Sequence, residues 1–521
     1  MQMTVQGGQA KIVFIYLGLA AALFMMCRLI LGGEVKEVLL VGIGFVVLGI
    51  AALAVGNWRM GLWLFLPWLL FEDLVRKYMG NNMAIYFGKD VLVGIMYISL
   101  FLSRGREKIP PLKPKFLLPL LFFVGLGIVQ MFNPGSPSIW FGLLGAKIYF
   151  YYIPLMFVGY YLLRDEVDLR RFLVLSMALA AIIALIGIIQ AIVGLNFLNP
   201  LGGAEIDELG HLTRVTPSGV LVARPPSVFV SEGRCSAYLI LVFILGLGSA
   251  GYLLLRTAKG RKIVFAGLAL VAVASFTSGS RGATVWVASS AVILSAAMMW
   301  GAPPRLQETY RLFKAIRRTW ILGVIALVLM VMIFPDTMGA RWTFYAETLD
   351  PRSADQQVSD RGWSYPVENL KLALSTQVWK IGQGIGTSSL GGQYVARLAN
   401  LRPEELPSIY VEEGWGTMLI ELGVPGLILW WVWTGFFVYE AWKTAMKVRG
   451  KSTFPVAMSI FWYGFILLWP FTFLSIGSIQ NFILNAYFWL LTGVLFRLPG
   501  LSEKKLMETE VSGAPQLQVP M

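Results

Sequence analysis

The chain has 521 residues, 57% of them apolar and only 14% charged, against about 25% charged in soluble domains. That balance excludes an ordinary soluble domain and reads as an integral membrane protein. A single histidine excludes zinc sites built on several imidazoles, two cysteines imply no disulfide framework, and no GxxxxGK[ST] loop is present to hold a nucleotide, while the net charge of +14 matters through its placement.

A bilayer-crossing helix needs roughly 20 apolar residues, and such runs fall near 12–31, 37–55, 57–72, 86–103, 115–132, 138–163, 171–194, 235–255, 262–278, 282–300, 319–335, 414–440, 454–473 and 478–497. The reading is an all-α integral membrane protein with about 14 transmembrane helices. The first run follows Lys11 and ends in Met25-Met26-Cys27-Arg28 with no small-residue cleavage site, so it reads as a retained span and not a signal peptide. The third run is short. The ninth and tenth also read as one interrupted hairpin.

Basic clusters follow the even-numbered runs: Arg104, Arg106, Lys108, Lys113 and Lys115; Arg164, Arg170 and Arg171; Arg256, Lys259, Arg261 and Lys262; Arg305, Arg311, Lys314, Arg317 and Arg318; Lys443, Lys447, Arg449 and Lys451; and Arg497, Lys504 and Lys505. Positive loops stay cytoplasmic. Both termini are therefore expected inside, and the two long loops, 195–234 and 336–413, outside. The expected organisation is a polytopic domain over 1–499, these two partly helical external loops within it, and a disordered cytoplasmic tail over 500–521. Pro110-Pro111-Leu112-Lys113-Pro114-Lys115 reads as a stiff cytoplasmic linker. The 336–413 loop carries Trp342, Tyr345, Trp363, Tyr365, Trp379 and Tyr394, which argues against disorder there.

The external side gathers Arg214, Arg224, Arg234, Arg281, Arg341 and Arg361. Arg281 stands between two apolar runs, in Ser278-Gly279-Ser280-Arg281-Gly282. Arg224 is stiffened by Pro225-Pro226. A guanidinium fork matches phosphate oxygens, and two forks can hold a diphosphate; snorkelling at the membrane boundary is the bland alternative. Glu412 and Glu413 precede an apolar helix. They read either as dipole-favoured residues of a helix start or as a general base. Lys147 interrupts an apolar run and serves either binding or packing. His211 reads as solvent-exposed, and Glu205, Asp207 and Glu208 as a solvated acidic loop more than a cation site.

Several of these segments together resemble the O-antigen ligase and O-antigen polymerase family. Ser280-Arg281-Gly282-Ala283 resembles its SRGA-like turn. Arg224-Pro225-Pro226-Ser227-Val228-Phe229, running on to Ala237-Tyr238-Leu239, resembles its R-x-x-G-T-F…AxYL stretch, with Ser227 in the glycine's place and Ser231-Glu232-Gly233 in place of an N-P-N-like turn. Arg361-Gly362-Trp363 with Gly384-Ile385-Gly386 resembles an R…W…G-x-G segment. Glu421-Leu422-Gly423-Val424-Pro425-Gly426-Leu427 resembles the E-L-G-x-x-G-L that follows the family's H-N motif. Counting back by the family spacing puts Glu412 where the ligases carry their catalytic histidine and Glu413 in place of the asparagine. The pattern is more polymerase-like than ligase-like.

The resemblance implies a GT-C-like polytopic glycosyltransferase of a bacterial cytoplasmic (inner) membrane, working at its outer face. It implies metal-independent, inverting transfer of a glycan from a polyprenyl diphosphate to the hydroxyl of an acceptor glycan. No cofactor is implied. The donor, the acceptor, the lipid bilayer and other polysaccharide-export proteins are the implied partners, and nucleic acid is not among them. Arg224 and Arg281 would clamp the diphosphate and Glu412 would activate the acceptor. Arg361, Arg341, Glu413, Arg214 and Lys147 would contribute to binding. Two alternatives stay open: a ligase joining glycan to a lipid or protein, and a lipid-linked glycan flippase or transporter.

Overall fold

A computed structural model describes residues 57–79, 83–103, 109–200, 212–216, 218–256, 259–301, 306–349, 360–389, 391–402, 405, 411–475 and 477–512. The expected spans at 12–31 and 37–55 lie outside these, as do Glu205, Asp207, Glu208 and His211. The chain forms two compact units, Met1–Arg106 and Glu107–Met521.

In the first unit, α1 (Trp58–Tyr78) packs on α2 (Met83–Ser103). Asn57 starts α1 by accepting the Arg59 N–H at 3.1 Å. Lys89 of α2 reaches Glu72 of α1 at 2.8 Å, with both side chains fully buried. Either charge alone in that place would cost several kcal/mol, so the pair fixes how the two helices face each other.

The second unit begins with α3 (Leu117–Gln130), α4 (Ile139–Phe150), α5 (Leu155–Leu162) and α6 (Glu166–Val193). A two-stranded antiparallel hairpin follows, β1 (Thr213–Val215) and β2 (Leu221–Ala223), with Arg214 opposite Val222. Next come α7 (Glu232–Arg256), α8 (Arg261–Thr277), α9 (Arg281–Trp300), α10 (Leu306–Ile333) and α11 (Pro335–Leu349). A π-helical turn at Asp360–Ser364, α12 (Tyr365–Ser375), a 3₁₀ turn at Val378–Lys380 and α13 (Gly392–Leu398) precede α14 (Gly414–Lys447). α15 (Phe454–Ile466) runs on into a π-helical turn at Leu467–Phe471, and α16 spans Phe482–Ser512. Helix α7 is the most central, packing against α6, α8, α9, α15 and α16.

Close helix approach is bought by small residues. A Cβ on Gly159 of α5 would meet the Leu490 carbonyl of α16 at 2.0 Å, and one on Gly493 would meet the Met156 carbonyl at 2.0 Å. Backbones that meet this closely are how helices associate where lipid removes the hydrophobic drive. On the outer surface of α3, Leu118, Phe122 and Val129 are 62%, 61% and 68% exposed, the apolar face expected toward lipid.

Among the described residues, eight helices are long and apolar enough to cross a membrane, or nine if α10 and α11, bent by 117° about Phe334, form one broken span. The chain is a multi-pass membrane protein on this ground. The expectation of fourteen spans is therefore corrected to eight or nine among the described residues. Helix α1 carries Arg59, Glu72, Asp73, Arg76 and Lys77, too many charges for a span. Helix α3 has 14 residues and α8 has 17, so at about 1.5 Å per residue neither covers the roughly 30 Å of a hydrocarbon core. Apolar runs in a sequence do not show where a helix ends, so short helices are counted as readily as spanning ones.

Two loop expectations also change. The 195–234 loop holds strands where helix was expected, because Thr213, Val215 and Val222 are β-branched and Gly219, with φ +86°, closes the turn. Helix α16 continues to Ser512, into the segment expected to be a disordered tail, through the helix-forming run Glu503-Lys504-Lys505-Leu506-Met507-Glu508. The 336–413 loop does carry helices, α11, α12 and α13.

Candidate functional site

Four of the arginines singled out above converge where the hairpin, the α8–α9 turn, α7 and α11 meet. The backbone leading there is held locally. The Arg224 N–H donates to the Leu212 carbonyl at 2.7 Å. Three residues on, Ser227 adopts φ +54° and is fully buried. Its N–H donates to Gln190 Oε1 at 2.7 Å and its hydroxyl to the Ile183 carbonyl at 2.7 Å, both on α6. Left-handed backbone is costly for any residue but glycine. The glycine expected at Ser227 from the resemblance thus has a conformational reason, and here two hydrogen bonds offset the strain.

The α8–α9 turn packs directly beneath. Gly279 has φ +63°, and a Cβ there would lie 3.1 Å from the Ala223 carbonyl and 3.2 Å from Arg224 Cγ. Ser280 caps α9, accepting the Ala283 N–H at 3.4 Å, and Arg281 is its first residue. The Arg281 guanidinium stands 5.8 Å from the Phe344 ring centre. Residues 224 and 281, far apart in the chain, are therefore neighbours.

Arg224 is nine-tenths buried, and its Nη1 forms an ion pair with Glu232 in the first turn of α7. Its Nε is buried with no hydrogen-bond partner. Burial pulls the Arg224 guanidinium down to about 10; Glu232 resists this, and the nearby Arg214 and Arg281 add to it. The cluster thus gathers three arginines around one glutamate, an excess of positive charge that an anion relieves.

Arg341 is used differently. Its Nε donates to the Thr277 carbonyl at 2.8 Å, its Nη1 to Thr337 at 3.0 Å and its Nη2 to Ala223 at 3.4 Å. It ties α11 to the end of α8 and to β2. The Tyr345 hydroxyl, donating to the Phe276 carbonyl at 2.8 Å, adds a second tie. These contacts explain why α11 folds back over the cluster after the bend at Phe334.

The other candidates lie on other elements. Glu413 is fully buried and caps α14: Oε1 accepts the Trp415 N–H at 2.7 Å and Oε2 accepts the Gly416 N–H. Burial raises its carboxyl to about 8 despite these two amide bonds. Glu412 is exposed, and its N–H donates to Asn369 Oδ1 at 3.3 Å. Of the two adjacent acids, only Glu412 presents its side chain to solvent. Arg361 belongs to the Asp360–Ser364 turn, and Lys147 lies half-buried in the last turn of α4. Aromatic contacts bridge the two regions: Trp415 meets Phe473 at 5.0 Å, and Trp286 of α9 meets Phe471 at 5.1 Å.

Below Glu412, α14 is broken at Gly423, which has φ +70°. Glu421, fully buried, accepts the Ser388 N–H at 3.0 Å and the Ser389 hydroxyl at 2.8 Å, while Gln480 donates to Ser389 Oγ at 3.1 Å. The Gln383 N–H donates to the Ile420 carbonyl at 2.7 Å and the Gly384 N–H to that of Glu421 at 3.1 Å. The G-x-G and E-L-G segments are thus docked on each other.

Sequence reasoning named Glu232 only within a turn and Tyr345 only as a loop aromatic, and passed over Gln190. A glutamine inside the apolar run 171–194 was the one available signal, since polar groups at such depth seek a specific partner. No family model matches the chain, and no curated protein matches it.

Proposed function

We propose that the protein is a polysaccharide polymerase that transfers a polyprenyl-diphosphate-linked glycan to the hydroxyl of an acceptor glycan at the external face of the membrane. One observation carries this reading: Arg224 and Arg281, with Arg214 beside them, share one partly buried site at the end of apolar helices. A lipid-borne diphosphate presents its charge at such a place. Guanidinium groups stabilise the charge that builds on the leaving diphosphate, the kind of term that commonly dominates catalysis. Glu412, the exposed carboxylate at the start of α14, is the candidate base for the acceptor hydroxyl. The contact between the R-x-x-x stretch at 224 and the SRGA-like turn at 281 further supports membership of the O-antigen ligase and polymerase family, because both motifs serve one site. A ligase would use the same chemistry with another acceptor.

A flippase or transporter is the second reading. The fully buried Lys89–Glu72 pair favours it, since a charge such as Lys89 buried on a candidate membrane span often marks a transport path.

The test is Glu412→Gln and Arg224→Gln in cells that make the polymer, with protein level checked and lipid-linked glycan resolved on a gel. The expected result is loss of polymer, with single repeat units collecting on the carrier at the outer face. Normal polymer in E412Q removes Glu412 as the base. Units held at the inner face favour the flippase.

A further inference from the structure

We infer that Glu232 is a specificity-determining counter-ion: it occupies Arg224 until displaced, and so favours the more highly charged pyrophosphate over a monophosphate. The inference rests on the anion-site reading above and goes beyond it by assigning the site its charge selectivity.

Three observations carry it. First, Glu232 pairs with Nη1 of Arg224 while the buried Nε has no partner. An oxyanion engages a guanidinium best through two nitrogens at once, so full use of Arg224 requires the carboxylate to leave. Second, Arg341 is committed elsewhere, because each of its three guanidinium nitrogens already donates to a backbone carbonyl. Third, Arg224 is nine-tenths buried, with Arg214 and Arg281 close by. A ligand that displaces Glu232 must replace its charge in a place where water screens poorly, and still gain from the remaining arginines. A diphosphate meets both demands. A monophosphate, with about −1.5 to −2 charge near neutral pH, does so with less surplus. Glu232 is also in contact with the arginine that would hold the diphosphate. It is therefore placed to regulate that end of the donor.

The experiment is calorimetric titration of the purified full-length protein in detergent with inorganic pyrophosphate and, separately, inorganic phosphate. The wild type should bind pyrophosphate about tenfold more tightly than phosphate, and Arg224→Gln should lose both. Glu232→Gln should bind both more tightly and bring the ratio to about two, because the competing charge is gone. A ratio that stays at the wild-type value in E232Q overturns the inference while leaving the anion site standing. Absence of pyrophosphate binding in the wild type and E232Q alike overturns both. Should E232Q fail to fold, Glu232→Asp retains the charge but shortens its reach. An intermediate ratio in E232D then supports the counter-ion role, and an unchanged one overturns it.

Discussion

Gln190 and Ser227 hold each other by reciprocal hydrogen bonds: the Ser227 N–H donates to Gln190 Oε1 at 2.7 Å, and Gln190 Nε2 donates to the Ser227 carbonyl at 3.2 Å. A side chain within a membrane helix thereby sets the backbone three residues beyond Arg224.

This pairing orders a set of variants. Ser227→Ala keeps the left-handed strain and loses the hydroxyl bond to Ile183, whereas Ser227→Gly loses the bond but also the strain. S227G should therefore be more stable than S227A by about 1 kcal/mol. Gln190→Leu strands the buried Ser227 N–H and carbonyl and should cost about 3 kcal/mol. Thermal unfolding of the purified variants gives the ranking, and equal stability of S227A and S227G would show that φ at 227 is unstrained.

Arg341 serves as a brace. Arg341→Lys keeps the charge but cannot reach three carbonyls from one ammonium, so it should lower stability by about 2 kcal/mol. Pyrophosphate affinity of the folded fraction should stay within about twofold of wild type, since Arg224 and Arg281 are untouched. A large loss of affinity with normal melting would make Arg341 a ligand contact instead.

Glu413 gives the protein a pH dependence of known sign. Its folded value of about 8 lies above the ordinary 4.5, so the folded state holds this proton more tightly than the unfolded state. The stability it contributes is full below about pH 4.5 and is lost as pH rises through about 8. The melting temperature should accordingly fall across that window, and Glu413→Gln, neutral throughout, should flatten the fall. A wild-type and E413Q difference that is constant with pH would contradict this.

Glu421 and Gly423 hold the 382–389 turn to α14. Glu421→Ala leaves the buried Ser388 N–H without an acceptor and should cost about 2 to 4 kcal/mol, with Glu421→Gln milder because an amide oxygen can still accept. A Cβ at Gly423 would lie 2.5 Å from the Ile381 carbonyl carbon, in a backbone with φ +70°. Gly423→Ala should therefore reduce folded protein sharply. Limited proteolysis between 376 and 411 reads both, since release of the turn exposes that stretch.

Much of this was legible in residue order. Composition alone marks a membrane protein, because the chemistry of lipid acts on every residue of a span independently of its neighbours. The arginines at 224 and 281 stood out because charge beside apolar runs is locally visible. The number of spans was not legible: hydropathy does not show where a helix begins and ends, and α3 and α8 prove too short to span while α1 proves too charged.

What tertiary structure alone decided is the work each charged group does. Arg224 and Arg341 look alike in sequence, yet one faces Glu232 with a nitrogen to spare and the other is spent on carbonyls. Glu412 and Glu413 are adjacent, yet one is exposed and the other is a buried cap. The reason is physical. Hydropathy is a sum over consecutive residues, but a guanidinium or carboxylate takes its role from partners that lie far along the chain and meet it only when the helices pack.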